Sequence, residues 1–167
     1  MKQIFLISCL ILFISCNSIR VITDHDSSID FNKYTSFAYL KPQIDKIAIS
    51  DLDKKRILRA VDGALALRGL SKSDTPDLLV SFSTKAKEKV YISNMGWNPW
   101  FWGPNQSSVS TQTEGTLFIN LIDASSKQLV WQGKGRGAIS EFTKNRDERI
   151  GLFVQEILSQ YPPGIDQ

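Results

Sequence analysis

Few side chains in this chain combine into chemistry. The one histidine, His25, lies in "DHD", with Asp24, Asp26 and Asp30 close in sequence. A metal ion or an acid–base pair needs groups that point to one place. Alternation along a strand sends His25 to the opposite face from Asp24 and Asp26. The motif therefore reads as the solvated end of a strand, followed by turn-forming Asp and Ser. No G-x-S-x-G, S-x-x-K or H-E-x-x-H pattern is present. Both cysteines, Cys9 and Cys16, fall in the N-terminal segment, so Ser–His or Cys–His chemistry would have to run through His25. Asp123 and Glu141 are a carboxylate pair of the kind glycosidases use, but no local spacing joins them. "GKGRG" (133–137) imitates a phosphate-binding loop. It lacks the G-K-[ST] that opens a helix, and its glycines recur at every second position. In a strand they leave one face bare, so that a helix or a neighbouring chain can approach closely. The expectation is no catalytic residue, no metal and no cofactor.

Two other groups suit contact rather than catalysis. Residues 94–106, "NMGWNPWFWGPNQ", hold three of the four tryptophans. Gly and Pro mark the stretch as a loop or hairpin tip. Trp97, Trp100, Phe101 and Trp102 are the candidate contact residues, because rigid aromatic rings supply binding area at low entropic cost. They suit a partner protein, a sugar face or the head-group level of a bilayer. The competing reading folds the rings back as a cap on the sheet, since large exposed apolar patches are rare on monomers. Lys85, Lys87 and Lys89 alternate along one strand, and Lys134 and Arg136 alternate along another. Together they form a basic stripe on an open sheet face, either simply solvated or in contact with anionic head groups.

The N-terminus gives an address. Met1-Lys2 is followed by "IFLISCLILFI" and then Ser15-Cys16. The apolar run is shorter than the roughly 20 residues of a membrane-spanning helix and fits the core of a secretory signal. "FISC" resembles a bacterial lipobox, with Cys16 as the acylated first residue of the mature chain. "LISC" at Cys9 would leave only a few apolar residues before it. Residues 1–15 are thus a signal peptide, and 16–20 are the acylated Cys and a short tether reaching at most roughly 14 Å. Removal of Lys2 with the signal lowers the net charge of +3 by one, too little positive charge to argue for nucleic acid.

Elements that must position these groups follow from periodicity. Ile19–Ile22 and Tyr34–Leu40 read as strands, with Pro42 ending the second. Ser50 and Asp53 have capping-box spacing. Ile57, Val61, Ala64 and Leu65, with Leu58 beside them, then form a helical stripe that closes at Arg68-Gly69-Leu70. "SKSDTP" is a loop. Asp77 to Ser93, Val109 to Asp123 and "LVWQGKGRGAI" form an antiparallel meander. Asn145 and Glu148 repeat the capping spacing before Ile150, Phe153, Val154, Ile157, Leu158 and Tyr161, and Pro162-Pro163 stops that helix. The order β-β-α-β-β-β-α predicts an α+β domain over 21–163. It has one antiparallel sheet of about five strands, two helices packed on one face, and a tail at 164–167.

At "DFNKYTSFAY", "TPDLLVSFSTKAKEK", "GTLFINLIDASSKQLVWQGKGRGAI" and "RDERIGLFVQEILSQYPP" the chain resembles the bacterial envelope lipoproteins catalogued as domain of unknown function 4136. That family commonly carries a Gly- and aromatic-rich segment where 94–106 stands. This one is richer in Trp and Pro and poorer in Gly. The resemblance implies a lipid-anchored domain with no established activity and no catalytic residues to transfer. The expected protein is therefore a non-enzymatic lipoprotein of the bacterial envelope, on the outer membrane and facing the periplasm, acting as an interaction or accessory module. The alternative is a glycan- or lipid-binding protein that uses the 97–102 tip, with a hydrolase as a third reading. Expected partners are the membrane, through the acyl chains, and another envelope protein, glycan or lipid.

Overall fold

A computed structural model of the chain describes residues 19–93, 108–138 and 143–164, with side chains over 19–86, 114–138 and 143–164. Strand β1 is Arg20–His25, and a 3-10 turn at Phe31–Lys33 leads into β2, Ser36–Tyr39. A short helix, α1, Lys41–Ile44, precedes α2, Asp51–Ala66. Then come β3, Ser71–Lys72, β4, Leu78–Ser93, and β5, Ser108–Asp123. Strand β6, Leu129–Ala138, and helix α3, Arg146–Leu158, complete the described elements.

The sheet has six strands in the order β1-β6-β5-β4-β2-β3. The meander β4-β5-β6 is antiparallel, and β1 adds antiparallel to β6. The sheet as a whole is mixed, which corrects the all-antiparallel expectation: β2 runs parallel to both β3 and β4. The cause is topological. A chain that leaves β2 through helices returns to the same end of the sheet, and the next strand then runs parallel. The sixth strand, β3, lies within the "SKSDTP" segment expected as a loop. Backbone bonds from the Ser71 amide to the Thr35 carbonyl (2.9 Å) and from the Ser73 amide to the Phe37 carbonyl (3.0 Å) recruit it. Pro42 does end β2, but it also stands in the first turn of α1, where its missing N–H is harmless.

Both expected helical stripes are buried in one core. Ile57, Val61, Ala64 and Leu65 of α2 meet Ile150, Phe153, Val154, Ile157 and Leu158 of α3 over Leu78, Val80, Phe82, Ile119, Leu121 and Trp131 of the sheet. The Ser50 hydroxyl accepts from the Asp53 amide at 3.1 Å. At the other end Gly69 takes φ +80°, and the Leu70 amide donates back to the Leu65 carbonyl at 3.1 Å. The second capping expectation is corrected. Asn145 is left-handed at φ 55° and makes no side-chain cap. That backbone turns its amide side chain toward Glu148 Oε2, 3.4 Å away. A buried carboxylate joins the two helix N-termini instead: Asp53 accepts from Arg146 (2.7 and 2.9 Å) and from Arg56 (2.9 Å).

The glycines of β6 let α3 sit on the sheet. A Cβ at Gly133 would overlap Ile157 and the Trp131 ring, and one at Gly135 would lie 2.8 Å from Ile157. Gly63, on the exposed side of α2, has nothing within 4 Å. Gly133→Ala should therefore lower stability by about 1–3 kcal/mol through overpacking. Gly63→Ala should raise it by about 0.5–1 kcal/mol through helix propensity. Urea unfolding of the two variants should move the midpoint in opposite directions.

Candidate functional site

With the helices on one face, the other face of the sheet carries the alternate residues of β1, β4, β5 and β6. Strand register sorts them into rows. The first is Ser81, Asn120, Gln132 and Asp24. It forms a polar ladder, with Gln132 Nε2 donating to Asn120 Oδ1 (2.7 Å) and Asn120 Nδ2 to Ser81 Oγ (3.3 Å). The second is Ser83, Phe118, Lys134 and Ile22. The third is Lys85, Thr116, Arg136 and Arg20.

Cations dominate the upper rows. Lys85 Nζ and Lys134 Nζ, from the strands on either side of β5, each lie 5.6 Å from the centroid of the Phe118 ring, so two ammonium groups contact one aromatic ring. Arg136 makes a long contact with Glu114, at 3.9 Å. Ile22, beside Lys134, is 66% exposed. The expected basic stripe thus exists in part: Lys85, Lys134 and Arg136 do come together. Register places Lys87 opposite Glu114 and Lys89 opposite Gln112, but their side chains lie outside the described residues. Phe118 and Arg20 were not anticipated. Alternation in "TLFIN" already turns Phe118 away from Leu117 and Ile119. The pairing of β1 with β6 that brings in Arg20 has no local signal.

The remaining sequence candidates scatter. Cys16, Trp97, Trp100, Phe101, Trp102 and Glu141 all lie outside the described residues. His25 ends β1 exposed and edge-on to Phe31, with ring centroids 5.9 Å apart. Asp24 accepts from the His25 amide, Asp26 from Ser28 and Asp30 from Asn32, as turn-forming aspartates do. No group of three His, Cys, Asp or Glu suited to a metal occurs among the described residues. "GKGRG" is a strand whose glycines lie under α3, as its alternation implied.

Where carboxylates cluster, they tie the chain together. Asp123 Oδ1 accepts from the Ser125 hydroxyl (2.6 Å) and the Ser125 and Ser126 amides (2.9 and 2.8 Å), and Oδ2 from the Tyr34 hydroxyl (2.9 Å). The Ser125 hydroxyl, then the Ser126 amide and Tyr34, hold its carboxyl far below the usual carboxylate range despite desolvation. Asp77 gathers the amides and hydroxyls of Thr35 and Ser36 and is lowered too, the Thr35 amide contributing most. Asp53 is lowered chiefly by its bonds to Arg146.

A folded-state pKa below the unfolded value stabilises fully above the ordinary carboxylate pKa of about 3.9. That stability is lost as pH falls through the folded value. Asp123→Asn should cost about 2 kcal/mol at pH 7, where hydrogen bonds to a charged acceptor are lost. The gap to wild type should narrow as pH drops below about 4. Urea titrations at pH 7 and pH 3 read both effects.

The comparisons with known proteins agree with this architecture. A family model described as Domain of unknown function (DUF4136) matches residues 21–163. No curated protein matches the chain. Among solved structures, a PDZ domain protein from Parabacteroides distasonis is similar at 16% identity and a TM-score of 0.55. The match covers 87% of this chain but only 36% of that one. Two structures of the PelC dodecamer from Paraburkholderia phytofirmans are similar at 9% identity, with TM-scores of 0.50 and 0.51. They are matched over 85% of this chain and 95% and 96% of theirs. At such identities the likeness is one of fold.

Proposed function

The chain belongs to the DUF4136 family, and from that premise we propose that it is a lipid-anchored lipoprotein of the bacterial cell envelope. It sits on the outer membrane, faces the periplasm, and works as a non-enzymatic interaction or accessory module. The observation that carries this reading is where β1 begins. Arg20 opens β1 and pairs with Arg136, at the end of the sheet from which the β4–β5 hairpin projects. Cys16 precedes Arg20 by four residues, so the acylated end stays within roughly 14 Å of the first strand. Beyond the Lys85–Arg20 row, β4 and β5 stay paired out to Ser93 and Ser108, about 27 Å at ~3.4 Å per residue. β1 begins at the same end of the sheet toward which β4 and β5 extend.

That shared direction supports a second reading. The 94–107 segment, with Trp97, Trp100, Phe101 and Trp102, joins strands that run toward the anchored end. Its rings suit a lipid, a glycan or an envelope protein near the anchor.

Labelled palmitate should enter the wild-type protein and not Cys16→Ala; an unlabelled wild type would end the anchored reading. The fourth tryptophan, Trp131, is fully buried in the core, so acrylamide-quenchable emission reports the other three. Quenching that falls when the protein is placed in vesicles supports contact at the bilayer. Emission already shielded in detergent supports rings folded onto the sheet. Capture from envelope extracts should lose partners in a Trp97/Trp100/Trp102→Ala triple variant, and identical partner sets would sink the interaction reading.

A further inference from the structure

We propose that the upper rows of the open sheet face, Arg20, Lys85, Lys134 and Arg136 around Phe118 and Ile22, are a docking surface for the anionic head groups of the bilayer that holds Cys16. This deepens the reading above and rests on its lipid anchor. Placement is the first support. Arg20 belongs to the row itself, and the chain from Cys16 to Arg20 spans at most roughly 14 Å. Surface potentials of anionic membranes decay over about 8 Å at physiological ionic strength. The anchor therefore keeps the Arg20 edge of this face close to the bilayer, and the other cations meet the field when the face lies along the surface.

Charge and shape point the same way. Lys85 and Lys134 approach one ring from neighbouring strands, and neither makes an ion pair among the described residues. Like charges on three strands of one sheet face repel, and an anionic group bound beside them relieves the repulsion. Arg136 has Glu114 at 3.9 Å, a contact loose enough to exchange for a phosphate. Ile22, 66% exposed next to Lys134, puts an apolar side chain among the cations. That pairing suits the boundary between head groups and acyl chains. A sugar would have to stack on Phe118, a ring that already has two ammonium groups 5.6 Å from its centroid. A second copy docked symmetrically on this face would set the same cations against each other.

The test uses the full-length protein in vesicles of phosphatidylcholine, alone or mixed with phosphatidylglycerol. Intact mass first reads the acyl chains on Cys16; an unacylated protein refutes the anchor, and this docking surface falls with it. Lysine acetylation is then followed residue by residue. Labelling of Lys85 and Lys134 should drop at least about fivefold in the anionic vesicles, while Lys33 and Lys127, at the far end of the sheet, stay constant. High salt should restore it. In a Lys85→Gln/Arg136→Gln variant the protection of Lys134 should weaken. If the protein is acylated yet labelling is equal in both vesicles, the proposal is wrong. Protection already complete in detergent would overturn it in favour of a contact between protein copies.

Discussion

Helix α3 rests on a strand with almost no side chains beneath it, and the rest of the architecture follows from that contact. Ile157 and Phe153 occupy the space that side chains at 133, 135 and 137 would fill. Close approach lets a thirteen-residue helix bury its whole apolar stripe against the sheet and α2 at once. The same alternation that strips one face of β6 arms the other, because Lys134 and Arg136 are the residues between the glycines. Core packing and surface charge are thus two consequences of one sequence pattern, and neither can shift register without the other.

Polar chemistry in this domain is spent on closing loops. Asp123 gathers the turn after β5 and reaches back to Tyr34. Asp77 clasps the start of β2 through Thr35 and Ser36. Asp53 draws together the first turns of two helices through Arg56 and Arg146. Each is a carboxylate surrounded by donors, which favours the ionised form and fixes it in place. A fold with no cysteine beyond position 16 relies on such ties and on one hydrophobic core.

How far the sequence could be read depended on whether a feature was local. The two helices were visible in Ile57, Val61 and Leu65 and in Ile150, Phe153 and Ile157, because burial on one face imposes a helical period. The β4–β5–β6 meander was visible because its strands alternate and follow one another. The bare face of β6 was visible in three glycines spaced by two. What stayed hidden depends on partners far away in the chain. Strand β3 is two residues held by backbone bonds to Thr35 and Phe37, and its Ser-Lys composition gives no hint of them. The parallel setting of β2 comes from a crossover, and the Ser50 cap formed where the Asn145 cap did not, although both have the same spacing. In the candidate site, the alternating lysines were legible, but their meeting over Phe118 required the register of three strands.

One pairing also bears on the order in which the domain can be completed. Strand β1 opens the described fold, yet its partner is β6, with Arg20 opposite Arg136. A chain delivered from its N-terminus presents β1 first and the strand it needs almost last. Until then the meander can zip locally, while β1 has no neighbour to complete its hydrogen bonds. The strand nearest the proposed membrane attachment is therefore the closing seam of the sheet, and the domain cannot be finished until nearly all of its chain has arrived.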